Sequence, residues 1–342
     1  MYYIIYQTAF IGDIILSTSM VRTIKKIDSH GKVIFITTPA GKSVLQNSKL
    51  IDWLIVYDKR SADSGIRGLF RVVKNIKDII GIDDSVFISP HRFIRASIIG
   101  FLIGSNQRTG FRNSALAFLY NRTVPYEMGI HETERNLRLL SAALPGRCLE
   151  KKPAIPELYP SENDFDNVRK IIYSGFACED KIIAVAPGSV WATKRWPEEY
   201  YKKLADLLSD KGIRTILIGG SDDKELCGRI SSGNSISLAG ELSPLESAAA
   251  ISLAAALVTN DSAPLHMASA MNIPTIALFG STTPHLGFGP LAVRSIVIEN
   301  KNLECRPCGR HGGMKCPKVH FDCMNKIYPE RVFREILKII EK

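Results

Sequence analysis

The stretch Leu257-Val258-Thr259-Asn260-Asp261-Ser262-Ala263-Pro264-Leu265-His266-Met267-Ala268, continued by Ile273-Pro274-Thr275-Ile276-Ala277-Leu278-Phe279-Gly280-Ser281-Thr282, decides how the chain reads. A short apolar run ends in a polar Asn-Asp-Ser turn, small residues then begin a helix, and a second apolar run closes at Gly280. Strand, polar turn, helix, strand and polar loop is the pattern of an open α/β sheet, whose ligands sit beyond the carboxyl ends of the strands. Asp261, Ser262, His266 and residues 280–282 therefore face one crevice. The backbone N–H groups at the start of the new helix suit an anion there, such as a pyrophosphate.

The same alternation extends in both directions. Residues 2–7 form a β-rich run, and Gly12 then opens a helical pattern through Ile14, Ile15, Thr18, Val21 and Ile24. Further strands are expected at Val33–Thr37, Leu54–Tyr57, Val86–Ser89, Ile182–Ala186, Thr215–Ile218 and Leu257–Thr259. A small-residue helix is expected over Leu242–Ala256, and Pro197 fits the first position of another. Arg67 to Ile80 is amphipathic, with Leu69, Val72, Val73, Ile76, Ile79 and Ile80 on one face and Arg67, Arg71, Lys74 and Lys77 on the other. It reads as a crossover helix with a solvated face, or as a basic helix lying on a membrane. Lys151 to Pro160 carries three prolines without periodicity and reads as a linker. The expectation is two doubly wound, Rossmann-like domains with a cleft between them: residues 1–160, residues 161–328, and a terminal helix, 329–342, able to cross back to the first domain.

The 342 residues carry a formal net charge of +10, of which +9 falls within residues 1–160 and +1 in the remainder. That asymmetry describes a solvated basic surface, or a first half that meets an anionic partner. Arg92, Arg95, Arg108 and Arg112, interleaved with aromatics on expected loops, suit carboxylate or phosphate recognition. No helix-turn-helix, RNA-recognition or zinc-finger pattern supports nucleic-acid binding. The chain opens without a basic region before its first apolar run, so no signal peptide is expected, and the apolar run Ile98 to Ile103 is too short to span a bilayer. A cytoplasmic protein is the expectation.

Cys305, Cys308, Cys316 and Cys323 cluster near the end, and their spacing leaves a structural zinc, reduced thiols or a disulfide open. Asp13, near the start of the first helix, is either an N-terminal cap or a catalytic carboxylate. His266 is either a packing residue or a donor to a phosphate or sugar.

Five motifs in register carry a resemblance: Ile11-Gly12-Asp13-Ile14-Ile15-Leu16-Ser17-Thr18, Pro187-Gly188-Ser189 with Lys194-Arg195-Trp196-Pro197, Asn260 to His266, Ala277 to Thr282, and Cys305-Arg306-Pro307-Cys308-Gly309. Together they resemble the lipopolysaccharide core heptosyltransferases, glycosyltransferase family nine, of GT-B architecture. The resemblance implies an inverting transferase that takes heptose from ADP-heptose to the phosphorylated, Kdo-bearing inner core on lipid A. It implies that Asp13 is the general base and that Lys194 neutralises the leaving diphosphate. Ser189, Asp261, Ser262, Ala263 and His266 would line the donor site, with Asp222 near the ribose, and the four arginines would meet the acceptor. Ala263 stands where glycine is usual, and its methyl group disfavours positive φ. The resemblance also implies peripheral attachment to the inner face of the cytoplasmic membrane, with Lys194 and helix dipoles replacing a catalytic metal. Two other readings stay open: a related transferase with another nucleotide sugar, and a non-catalytic basic protein that binds membranes or polyanions.

Overall fold

A computed structural model describes residues 1–146 and 154–341. Cys148 and the first part of the expected linker, Lys151 to Pro153, lie outside the described residues. The chain divides into two compact units, Met1–Tyr159 and Pro160–Lys342.

The first unit runs β1 (Tyr2–Tyr6), α1 (Ile11–Ile27), β2 (Lys32–Thr37), α2 (Pro39–Leu45), β3 (Trp53–Val56), α3 (Gly65–Ile80), β4 (Ser85–Ser89), α4 (Ile94–Ile103), β5 (Gln107–Phe111), β6 (Arg122–Val124) and α5 (Glu132–Ala143). Its six strands are parallel in the order β3-β2-β1-β4-β5-β6. The β1 run Tyr3-Ile4-Ile5-Tyr6 is fully buried, as expected of a central parallel strand covered on both faces. The apolar stripe of α3 and the inner face of α4 share one core with Ile4, Tyr6, Ile34, Ile36 and Phe87. Helices α1, α2 and α5 associate with one another. The segment before Pro160 belongs to this unit: the Glu157 amide donates to Thr18 Oγ1 at 2.8 Å, and Arg22 pairs with Glu157 at 3.0 Å.

The second unit runs α6 (Glu162–Tyr173), β7 (Ile182–Ala186), α7 (Glu198–Ser209), β8 (Arg214–Leu217), α8 (Lys224–Ile230), β9 (Ser235–Ser237), α9 (Pro244–Ser252), β10 (Ala256–Asn260), α10 (Ala263–Met271), β11 (Thr275–Phe279), β12 (Ser295–Glu299), α11 (Asp322–Asn325) and α12 (Pro329–Ile340). Its sheet, β12-β11-β10-β7-β8-β9, is again parallel and repeats the order of the first. In each sheet the order reverses beside the first strand, between β1 and β4 and between β7 and β10. Such a switch point opens a crevice at the carboxyl end of the sheet.

Several local expectations shift. The helix expected over Leu242–Ala256 is shorter, because Ser243 and Glu246 form a capping box that starts α9 at Pro244, and Ala256 already belongs to β10. Pro197 caps α7 from outside, with ψ 139°. Two of the four arginines are not on loops: Arg95 lies in the first turn of α4 and Arg108 in β5. The terminal helix α12 packs on α7 and on β10 to β12, and its buried residues Val332, Ile336 and Ile339 complete the core of the second unit.

Candidate active site

At the switch point of the second sheet, three polar loops meet: Pro187–Ser189 after β7, Asp261–Ala263 after β10, and Ser281–Thr282 after β11. Asn260, completely buried, binds them to the body of the unit. Its side-chain amide donates to the Pro187 carbonyl at 2.7 Å, and its oxygen accepts from Tyr201 Oη at 3.0 Å and from the Trp196 amide at 3.2 Å. One side chain thus fixes the Pro187 loop, the start of α7 and the end of β10.

Lys194 closes a 3₁₀ turn, Ala192–Lys194, and its Nζ reaches Asp261 Oδ2 at 2.7 Å. Thr282 Oγ1 donates to the same carboxylate oxygen at 2.7 Å. The pair is largely removed from water, with the two side chains 12% and 8% exposed. Asp261 is therefore the counter-ion of Lys194. Asp261 is not the helix cap: Ser262 holds that position with extended backbone, and its side chain makes no capping bond. Pro264 has no N–H and the Leu265 amide donates to the Ser262 carbonyl at 3.1 Å, which leaves the Ala263 amide as the donor at the start of the helix. Ala263, the first helical residue, is absent from the left-handed region, so the alanine fits where glycine is usual. His266 is buried in α10, with its ring edge-on to Phe288 at 6.3 Å between centroids.

Ser189 is buried, and its Oγ accepts from the Trp191 amide at 3.4 Å. The adjacent Gly188 has no room for a side chain, since a Cβ there would stand 2.2 Å from the Asp223 carboxylate. Asp223, not Asp222, is the carboxylate packed against this loop, and it also accepts from the Gly220 amide at 3.0 Å. Asp222 lines a neighbouring cavity of about 410 Å³ with Arg195, Trp196, Glu198, Arg229 and Phe321.

The cysteine-rich segment folds against the same loops. Thr193 Oγ1 donates to Ser281 Oγ at 2.9 Å and accepts from the Gly313 amide at 2.8 Å, while the Thr193 amide donates to the Gly313 carbonyl at 2.9 Å. The Cys308 amide donates to the Ser281 carbonyl at 2.8 Å. Arg306 is almost fully buried. Its guanidinium donates to the carbonyls of Phe279, Gly280, Thr282 and Asn300 and pairs with Glu299 at 2.9 Å. Asn260 and Arg306 stand inside the quoted motifs and Thr193 directly before one, yet residue type gives no sign of their role, because only the fold reveals which partners they satisfy.

Of the alternatives left open for Cys305, Cys308, Cys316 and Cys323, the structure gives no support to a tetrahedral zinc. Among the described residues, no three His, Cys, Asp or Glu side chains gather closely enough to hold a metal. All four thiols are free. They differ in character. Burial pushes Cys323 up to about 11. At Cys316 burial is the largest single effect and raises the thiol, but the backbone N–H groups of residues 318–321 together outweigh it and hold the thiol below the usual range.

In the first unit, Asp13 is the third helical residue of α1, beyond the β1 end of the other switch point, and the cap position is Phe10. Near it lies a cluster that no sequence signal announced. The Tyr126 ring has the Arg92 guanidinium 4.1 Å and the Arg135 guanidinium 4.5 Å from its centroid. Arg135, completely buried, pairs with Glu132 at 2.7 Å and donates to Tyr126 Oη at 3.1 Å. Burial raises Tyr126 to about 12, with the charge of Glu132 and, more weakly, that of Asp13 adding to the rise. The expected acceptor arginines separate. Arg92, Arg95 and Arg112 lie at or beyond the carboxyl ends of β4 and β5. Arg108 lies at the opposite end of β5, donating to the Ser105 and Leu119 carbonyls.

A family model described as glycosyltransferase family 9 (heptosyltransferase) matches residues 84–320. The chain belongs to glycosyltransferase family 9. It is 29% identical over 227 residues to lipopolysaccharide heptosyltransferase 2 of Escherichia coli, covering 63% of this chain and 64% of the relative. It is 30% identical over 203 residues to lipopolysaccharide heptosyltransferase 1 of Pseudomonas aeruginosa, covering 59% of this chain and 54% of the relative. These matches thus span less than two thirds of the relatives' own lengths. Among solved structures, a family 9 glycosyl transferase from Veillonella parvula superposes with TM-score 0.85 at 22% identity, covering 99% of this chain and 97% of that one. The E. coli ADP-heptose lipopolysaccharide heptosyltransferase II superposes with TM-score 0.81 at 22% identity, covering 100% and 99%. Two Rossmann-like units are thus the fold this family member shares with them.

Proposed function

We propose that this chain is an inverting glycosyltransferase that moves a heptose from ADP-heptose to an inner-core lipopolysaccharide acceptor. The observation that carries the reading is the Lys194–Asp261–Thr282 cluster beside the N-terminus of α10, an ion pair whose lysine can exchange its carboxylate partner for a diphosphate. The names of the relatives supply the sugar and the acceptor class.

In this reading the acceptor hydroxyl attacks the anomeric carbon as its proton passes to the Asp13 carboxylate. The bond from that carbon to the diphosphate oxygen breaks on the opposite face, and its electron pair leaves with ADP. Charge developing on the diphosphate is met by Lys194 and by the Ala263 amide at the positive end of α10, so this reading asks for no metal at the phosphates. Ser189, Ser262 and the Ala263 amide donate to the phosphates. Asp261, released from Lys194, turns to a sugar hydroxyl, and Asp222 takes the ribose. Arg92, Arg95 and Arg112 meet the acidic acceptor. Because that acceptor is a membrane glycolipid, the enzyme works as a peripheral protein on the cytoplasmic face of the inner membrane.

The test is incubation with a panel of nucleotide sugars and a heptose-free inner-core acceptor, read by product mass. Addition of one heptosyl residue, dependent on ADP-heptose, is expected. Turnover with a uridine-linked sugar instead, or no donor consumption with any acceptor, would overturn the assignment.

A further inference from the structure

The first unit carries large apolar side chains that no described element covers. Ile66 and Phe70 on α3, Phe93 and Ile94 at the start of α4, Phe101 near its end and Phe118 in the following 3₁₀ turn are each between 50% and 80% exposed. Single exposed apolar residues are ordinary, but these fall on neighbouring elements: α3 packs beside α4, and α4 beside the 118 turn. Both helices bury their inner faces in the same core, so the exposed residues lie on the outer side of one layer. On α4, Ile94, the partly buried Ile98 and Phe101 follow at i, i+4 and i+7, which forms a stripe.

The surroundings are basic. Arg67, Lys74 and Lys77 are exposed on α3 and, among the described residues, have no carboxylate partner, while Asp78 is the one acid on that helix. Arg108 lies over the Phe101 ring, 5.9 Å from its centroid. Between Phe93 and Ile94 and the body of the unit is a cavity of about 300 Å³, also lined by Lys59, His91 and Arg95. Long cationic side chains around aromatic and aliphatic ones match the headgroup–acyl boundary of an anionic bilayer, where the rings enter and the cations stay with phosphates. A second copy of the chain fits poorly, because a two-fold interface would set these cations against their own equivalents.

We propose that the outer face of α3, α4 and the 118 turn docks the first unit on an anionic phospholipid bilayer, with Phe101 and Phe118 inserted among the headgroups. The idea rests on the reading that the acceptor is a membrane glycolipid, but its test needs no turnover.

The full chain is co-sedimented with phosphatidylcholine vesicles, with and without phosphatidylglycerol, at about 0.05 M and 0.5 M salt. Strong partition onto the anionic vesicles at low salt, and little onto phosphatidylcholine, is expected. Phe101→Ser with Phe118→Ser lowers the partition about tenfold or more. Lys74→Gln with Lys77→Gln lowers it about fivefold per charge removed. Turnover of a soluble, lipid-free acceptor stays at the wild-type rate in both double variants, which shows that they are folded. Partition unchanged by either variant, or equal on both vesicle types, overturns the proposal. So does a dimer, seen by light scattering, that the Phe101/Phe118 variant splits while vesicle binding persists, since the face would then be a self-interface. Vesicle binding with no transfer from ADP-heptose would instead sink the reaction assigned above and leave this surface standing.

Discussion

Replacing Lys194 by Met tests the geometry of the second unit directly. Lys194 is the cationic partner of a carboxylate that is itself 8% exposed. Removing it leaves Asp261 with Thr282 and no counter-charge. Breaking a buried pair from one side costs about 3–5 kcal/mol, and the 12% exposure of Lys194 argues for the lower end. At about 2–4 °C per kcal/mol for a unit of this size, the second unit should melt about 6–12 °C earlier. Trp196, nearly buried with its indole N–H on the Ile327 carbonyl at 2.8 Å, provides a fluorescence signal for that unit once Trp53 is replaced by Phe. The double variant Lys194→Met/Asp261→Asn should recover most of the loss, because no unpaired charge remains. ADP binding, by contrast, should stay weakened by about 10–100-fold in both variants, the value of a charged hydrogen bond of about 1.5–3 kcal/mol. If the single variant melts with wild type, or the double variant melts below it, the pair is not the buried counter-ion couple described here.

Four other outcomes can be measured. Asp13→Asn should keep ADP affinity while transfer falls about 10²–10⁴-fold, as loss of a general base requires; normal turnover would remove Asp13 from the chemistry. Arg306→Lys cannot reproduce a fork over four carbonyls, and the second unit should lose about 2–4 kcal/mol in guanidinium titration from the acceptors left dry. His91 is buried, and burial lowers it to about 4, with Lys59 and Arg92 adding to the effect. It stays neutral when folded but takes a proton when unfolded, so stability is lost as pH falls from about 6.5 towards about 4, by about 3 kcal/mol, and His91→Gln should flatten that slope. In iodoacetamide labelling resolved by peptide mass, Cys316 should react at lower pH than a free thiol, and Cys323 and Cys227, the latter pushed up to about 12 by burial, should react last.

The alternation of apolar runs with Gly-, Ser- and Asp-bearing turns is enough to read two doubly wound units and the crest that bears Asp261, whereas Lys194 enters that site only through the family resemblance. It worked because a buried parallel strand needs a continuous apolar run, and its crevice loop needs small and polar residues. Where those demands relax, the reading failed. Strand β5, Gln107-Arg108-Thr109-Gly110-Phe111, is polar at its open end and looks like a loop. The short β6 and β9 have only three residues each on which to show a pattern. Helix α9 stops at Ser252 without glycine or proline, since β10 must begin at Ala256 to reach its place beside β7. The Tyr126–Glu132–Arg135 cluster was invisible for another reason. Its members look like an ordinary solvated helix start until the fold buries the arginine.

The packing of α12 has a consequence for how such a chain diversifies. Its apolar face completes the core that already holds α7 and strands β7 and β10, after which Lys194 and Asp261 follow in the chain, while the first unit closes a separate core around Phe87 and Ile99. Each unit thus holds its own folding free energy. Residues on the crest of the first sheet do not enter the core that supports the crest of the second. Selection can then reshape the one crest while the framework beneath Lys194 and Asp261 is inherited intact.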